Sequence, residues 1–155
     1  MKKKVLIIAV AVIAVIAIIG AVLALSGRNK VSINASYERA AKQLEAAGYT
    51  VTVVTDAEQL KSYTAEGLTA AVVAYKGAEK LEAPDEEKLD DYGMVELFYF
   101  ETDAQAEEYY HTEGFQFGYQ AWSDGYYHIG NSDFFYGHTA NVAYAGLRDA
   151  LDLCA

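Results

Sequence analysis

The sequence has one cysteine and one proline in 155 residues. A lone Cys154 excludes an internal disulfide framework and any paired-cysteine metal or redox motif. So little proline excludes an extended proline-rich segment. Acidic side chains are missing from residues 1–30, which hold five basic ones, so all 22 Asp and Glu lie downstream with seven Lys and Arg, and residues 31–155 carry −15. A domain of that charge does not bind phosphate backbones without regard to sequence, so no nucleic-acid partner is expected. Nucleophile-elbow, phosphate-loop and dinucleotide motifs are also missing, and no cofactor is implied. The three histidines, His111, His128 and His138, have no short metal-site spacing. The acidic run Asp85-Glu86-Glu87 with Asp90-Asp91 lacks the order of a calcium loop, so no metal is expected either.

A chain that is 53% apolar and 22% charged is long enough for one ordinary domain. Lys2, Lys3 and Lys4 precede an uncharged apolar run, Val5 to Leu25. At about 1.5 Å per helical residue this run spans roughly 31 Å, one hydrocarbon core. The sequence therefore predicts a cytoplasmic basic tail over 1–4, a single transmembrane anchor over 5–25, and a short tether over 26–32. An α+β domain over 33–155 would lie outside the cytoplasm, with the membrane as a partner. Ala24-Leu25-Ser26 before Gly27 keeps a cleaved signal peptide open as the alternative.

Within the domain, Tyr37, Ala40, Ala41, Leu44 and Ala47 recur at helical spacing up to Gly48. Residues 49–55 alternate as a half-buried strand with Tyr49, Val51 and Val53 on one face. A short helix over 56–66, an interior strand over 68–75 and an acidic loop over 77–91 follow. Residues 94–101 form the strongest, central strand, and Thr102 to Gln105 is a capping box that opens a helix through Tyr110. Strands are then predicted over 115–121, 126–129 and 134–137, with turns at 123–125 and 130–133. Pairing across the last hairpin in which residue numbers sum to 263 puts Tyr127, Ile129, Phe134 and Tyr136 on the core face. Ala140 to Cys154 reads as a closing amphipathic helix with Cys154 as a small buried hydrophobe.

These elements predict a two-layer α+β fold with a largely antiparallel sheet and helices on one face. A ferredoxin-like split βαβ arrangement is the specific expectation, and two three-stranded meanders are the competitor. Thr55-Asp-Ala and Glu66-Gly67 recur 47 residues on as Thr102-Asp-Ala and Glu113-Gly114, which raises a duplicated strand-helix-strand unit against coincidence.

Fifteen of the twenty aromatics lie between Tyr92 and Tyr136, more than one small core requires. Trp122, Tyr126, Tyr127 and His128 are the candidate binding residues, an aromatic platform for a protein, peptide or glycan ligand. The function expected is thus a membrane-anchored extracytoplasmic binding module. One alternative is a carboxylate-dependent hydrolase of envelope material using Glu96, Asp124 and His128. Another is a structural or regulatory subunit recognised through its span. Glu96 stands apart because its same-face neighbours Met94 and Phe98 would desolvate it.

Overall fold

The computed structural model describes residues 30–76, 93–112, 114–115, 126–129 and 132–155, with 126–129 and 132 as backbone. Helix α1 is Tyr37–Ala46, followed by β1 (Thr50–Val54) and by α2 (Ala57–Leu60), which tightens into a 3₁₀ turn over Lys61–Tyr63. Strands β2 (Leu68–Tyr75) and β3 (Val95–Phe100) precede α3 (Asp103–Tyr110). Strands β4 (Tyr126–Ile129), β5 (Ser132–Thr139) and β6 (Val142–Leu147) lead into α4 (Arg148–Asp152). The strands form one antiparallel sheet in the order β1-β2-β3-β6-β5-β4. Two three-stranded meanders therefore join through β3 and β6, in place of the ferredoxin-like arrangement.

The expected membrane span over 5–25 lies outside the described residues. Among the described residues no helix is long and apolar enough to cross a membrane. The longest, α1, has ten residues, about 15 Å or half a hydrocarbon core. The expectations of a single-pass anchor, a membrane partner and an extracytoplasmic location are corrected accordingly. What the structure supports is an α+β domain, whose contacts define a compact unit over Val31–Ala155.

Strand register assigns the two faces of the sheet. Glu96, Phe98 and Phe100 of β3 share the front face with Ala143, Ala145 and Leu147 of β6. Val95, Leu97, Tyr99 and Tyr144 share the back face. Helices cover both faces, not one. On the back, the Tyr37 ring of α1 meets Tyr99 at 6.0 Å, Val31 N–H donates to Tyr144 Oη at 3.0 Å, and Asn34 N–H donates to the Cys154 carbonyl at 2.7 Å. On the front, Tyr63 and Tyr109 pack edge-on against Phe98 at 5.5 and 5.4 Å, and Phe115 packs against it at 6.3 Å. Every residue of β6 is buried as a result.

The expected helix over 140–154 is thus β6 followed by the short α4. A strand buried on both faces shows no alternation, and the run Val142-Ala-Tyr-Ala-Gly-Leu147 fits helical spacing by being apolar throughout. Thr139 pairs with Val142, so the chain reverses over Ala140 and Asn141, with Ala140 at φ +49°. In the β4–β5 hairpin the paired numbers sum to 261, as in Tyr127 with Phe134. The slip of two from the expected register leaves the faces unchanged. In β1 it is Val54 that is half-buried while Val53 is 41% exposed, as suits the strand at the end of the described sheet. Gly114 and Phe115 are helical, so the expected strand does not begin at Phe115; residues 116–125 and the acidic loop over 77–91 lie outside the described residues. In the expected duplication, Gly67 precedes a strand where its counterpart Gly114 is helical, and the rest of the second unit, over 116–121, lies outside the described residues.

The capping box of α3 is formed, with Thr102 Oγ1 accepting from Gln105 N–H and Gln105 Oε1 accepting from Thr102 N–H at 3.0 Å. The Gln105 amide lies over Gly67, where an added Cβ would come within 2.1 Å of it, and Gly67 has φ +72°. Gly67 also accepts from Glu101 N–H at 2.9 Å, so the start of α3 is fastened to the chain leading into β2. Gly67→Ala should cost about 2 kcal/mol, roughly half from the left-handed backbone and half from expulsion of Gln105 and loss of the cap. Gln105→Ala alone should cost about 1 kcal/mol, and the double variant should cost less than the two singles together, as read by denaturant unfolding. Ala140→Gly should stabilise by about 0.5–1 kcal/mol, because it relieves a non-glycine residue at positive φ.

Candidate functional site

Strands β1, β2, β3 and β6 contain one charged residue, Glu96. Its backbone pairs with Val73 of β2 and Ala145 of β6, so the neighbours directly across it on the front face are small or short. Along its own strand it lies between Met94 and Phe98 on that face, as the alternation predicts. Helix α3 and the 3₁₀ turn cover Phe98 and Phe100 but leave the layer open toward β2. Val73, Tyr75, Met94 and Glu96 are all half-buried there, and Thr52 of β1 is exposed.

Three phenols border this opening. Tyr63 comes from the 3₁₀ turn, Tyr109 from the last turn of α3, and Tyr75 from β2, two residues beyond the partner of Glu96. Burial raises the pKa of each, and the negative charge of Glu96 raises it further. Tyr109 is pushed up to about 12, and Tyr63 acts on both Tyr75 and Tyr109. The site therefore combines a carboxyl group with neutral phenols, aromatic π-faces and hydroxyl groups.

Among the described residues, Phe98, Tyr99, Phe100, Phe115, Phe134, Phe135, Tyr136 and Tyr144 are buried, five on the front face or against it in the case of Phe115, and three on the back. Two apolar layers take up these eight aromatics, while Phe117, Tyr119 and Trp122 lie outside the described residues. Of the predicted binding residues, Trp122 lies outside the described residues, and Tyr126, Tyr127 and His128 form β4 at the far end of the sheet. The hydrolase candidates are not brought together. Three strand spacings of about 4.8 Å separate the backbone of Glu96 from that of His128, and Asp124 lies outside the described residues.

His111 caps the exposed end of α3 with its ring 4.8 Å from Tyr110. His138 lies in β5, not before a helix, with Nδ1 3.7 Å from Asp103 Oδ1 and its ring 5.6 Å from Tyr110. Cys154 is fully buried, and burial pushes its thiol up to about 12, which suits a packing role. Among the described residues no group of three or more His, Cys, Asp and Glu could hold a metal ion. What sequence reasoning missed is the set of tyrosines around Glu96: each comes from a different element, and only the fold gathers them.

No family model, curated protein or solved structure matches this chain.

Phenols with raised pKa keep their protons in the folded state after the unfolded chain has lost them near pH 10. Their contribution to stability is full below pH 10 and is lost as pH rises, for Tyr109 between pH 10 and about 12. Removing the charge with Glu96→Gln should move the onset of tyrosinate absorbance to lower pH through Tyr63, Tyr75 and Tyr109. The buried back-face Tyr99, raised by burial and by Cys154 and Glu38, should not respond. An unchanged titration curve in this variant would mean that the four groups do not interact.

Proposed function

We propose that this domain is a recognition module that seats a positively charged group over Glu96, among Tyr63, Tyr75 and Tyr109. The observation that carries the reading is a carboxylate in a central strand, half-buried beside three half-buried phenols. A carboxyl group ringed by aromatic π-faces and hydroxyls is complementary in charge to a positively charged group. The ligand's charge meets the carboxylate, and its alkyl surface lies against aromatic rings, each worth about 0.5–2 kcal/mol. A diffuse organic cation suits the arrangement better than a divalent metal, which requires several oxygen ligands at once.

Ring-proton NMR of the tyrosines during titration with butylammonium tests the reading. Saturable shifts at Tyr63, Tyr75 and Tyr109 are expected, with affinity weakened at least tenfold, about 1.4 kcal/mol, in Glu96→Gln. Absence of saturable shifts, or equal binding by the variant, would overturn it.

A second contact is proposed at Trp122, Tyr126, Tyr127 and His128, because β4 is the terminal strand of the described sheet and tyrosines there combine apolar area with a polar tip. Trp122→Ala with Tyr127→Ala should leave butylammonium binding intact while weakening capture of the natural partner. Unchanged capture would remove this contact.

A further inference from the structure

Strand β1 lies at one end of the described sheet and, among the described residues, pairs only with β2. The alternation of ladder bonds shows which of its backbone groups are left over. Phe100 N–H donates to the Asn141 carbonyl at 2.8 Å and Leu147 N–H to the Met94 carbonyl at 3.3 Å, so even-numbered residues of β3 bond toward β6 and odd-numbered ones toward β2. Carried through the β2–β3 and β1–β2 registers, this alternation turns the backbone groups of Thr50, Thr52 and Val54 toward β2. The N–H and C=O of Val51 and Val53 point away from the sheet.

Edges of this kind are ordinarily guarded by a charge, a proline, a bulge or a covering segment. Thr50-Val-Thr-Val-Val-Thr55 has no charged residue and no proline, and its register with β2 runs from Thr50 to Val54 without a shift. Thr50, Thr52 and Val53 are exposed. The two ends of the strand differ in charge. Lys76 holds its ammonium 5.3 Å from the centre of the Tyr49 ring at the amino-terminal end, and exposed Asp56 follows the carboxy-terminal end.

We infer that β1 is a homodimer interface, at which two copies of the chain pair their β1 strands antiparallel across a two-fold axis through Thr52. The strand is complementary to itself in that register. Val51 of each copy faces Val53 of the partner subunit and exchanges the outward backbone hydrogen bonds with it. On the back the valines cover one another, and on the front Thr52 pairs with its own copy. Antiparallel pairing also brings the Asp56 end of one copy to the Lys76 end of the other, so unlike charges meet at both ends of the seam. A net charge of −15 over residues 31–155 disfavours contact between copies in general, so a seam needs an uncharged strand flanked by unlike charges, as β1 is. One strand pair is a small contact, which makes the dimer reversible. Opposed residues of an antiparallel pair share a face, so the front layers of both copies lie on the same side of one continuous sheet. This holds whether or not Glu96 seats a cation.

The test is sedimentation velocity of the full chain over a concentration series, joined to cysteine cross-linking. A concentration-dependent dimer is expected, and Val53→Lys, which sets a charge on the open edge, should raise its dissociation constant about tenfold or more. Thermal unfolding of this variant should show the same cooperative transition, since Val53 makes no ladder bond within the sheet. Lys76→Glu should weaken the dimer as well, and more at low salt than at high salt. Thr52→Cys should link into a covalent dimer on mild oxidation, because Thr52 meets its own copy in a pair without hydrogen bonds, where Cβ atoms are about 4.5–5.5 Å apart. Thr50→Cys, opposite Val54 of the partner subunit, should not, and buried Cys154 does not compete. A chain that stays monomeric throughout the series would overturn the inference. So would a dimer that ignores Val53→Lys, or cross-linking at Thr50 in preference to Thr52.

Discussion

The pairing of β3 with β6 is the constraint on which the rest of the structure depends. It joins two meanders, each of which alone would expose an edge of apolar strand, into one sheet. Because both strands lie inside that sheet, both of their faces must be covered. The back layer is assembled from the two ends of the domain, with α1 and the Val31 segment meeting the turn after α4. The front layer comes from the two connections that follow β1 and β3. Gly146 shows how closely the strands fit, since a Cβ there would come within 2.6 Å of the Met94 carbonyl.

That constraint also defines the site. The two short helical segments cover Phe98 and Phe100, and among the described residues Glu96 lies where that cover ends. The segment holding Tyr63 and the helix holding Tyr109 are anchored by their contacts with Phe98, the next front-face residue of the same strand. The position of the site is therefore a by-product of core packing.

Features encoded by neighbouring residues were legible in the sequence. The Thr102–Gln105 capping box, the helix from Tyr37 and the central strand at 95–100 each rest on a local rule that no distant contact overrides. What failed rests on tertiary context. The alternation of β6 is erased by burial on both sides, so the helical period won by default. Helices on both faces could not be inferred, because the pattern of a helix states that it has an apolar face and not which side of a sheet receives it. Part of the aromatic surplus fills a second core layer, which sequence spacing does not show. Glu96 was visible from Met94 and Phe98, whereas Tyr63 and Tyr75 become its neighbours only through packing and strand pairing.

Native-state hydrogen exchange tests the central claim most directly. If the β3–β6 ladder holds the two meanders and both layers together, amides of Glu96, Phe98, Ala143 and Ala145, which lie in the hydrogen-bonded pairs of that ladder, should exchange only through global unfolding, at the free energy measured by denaturant, while β1 and α2 open earlier. Exchange of the β3–β6 amides through openings of lower free energy than those of β1 would contradict the account.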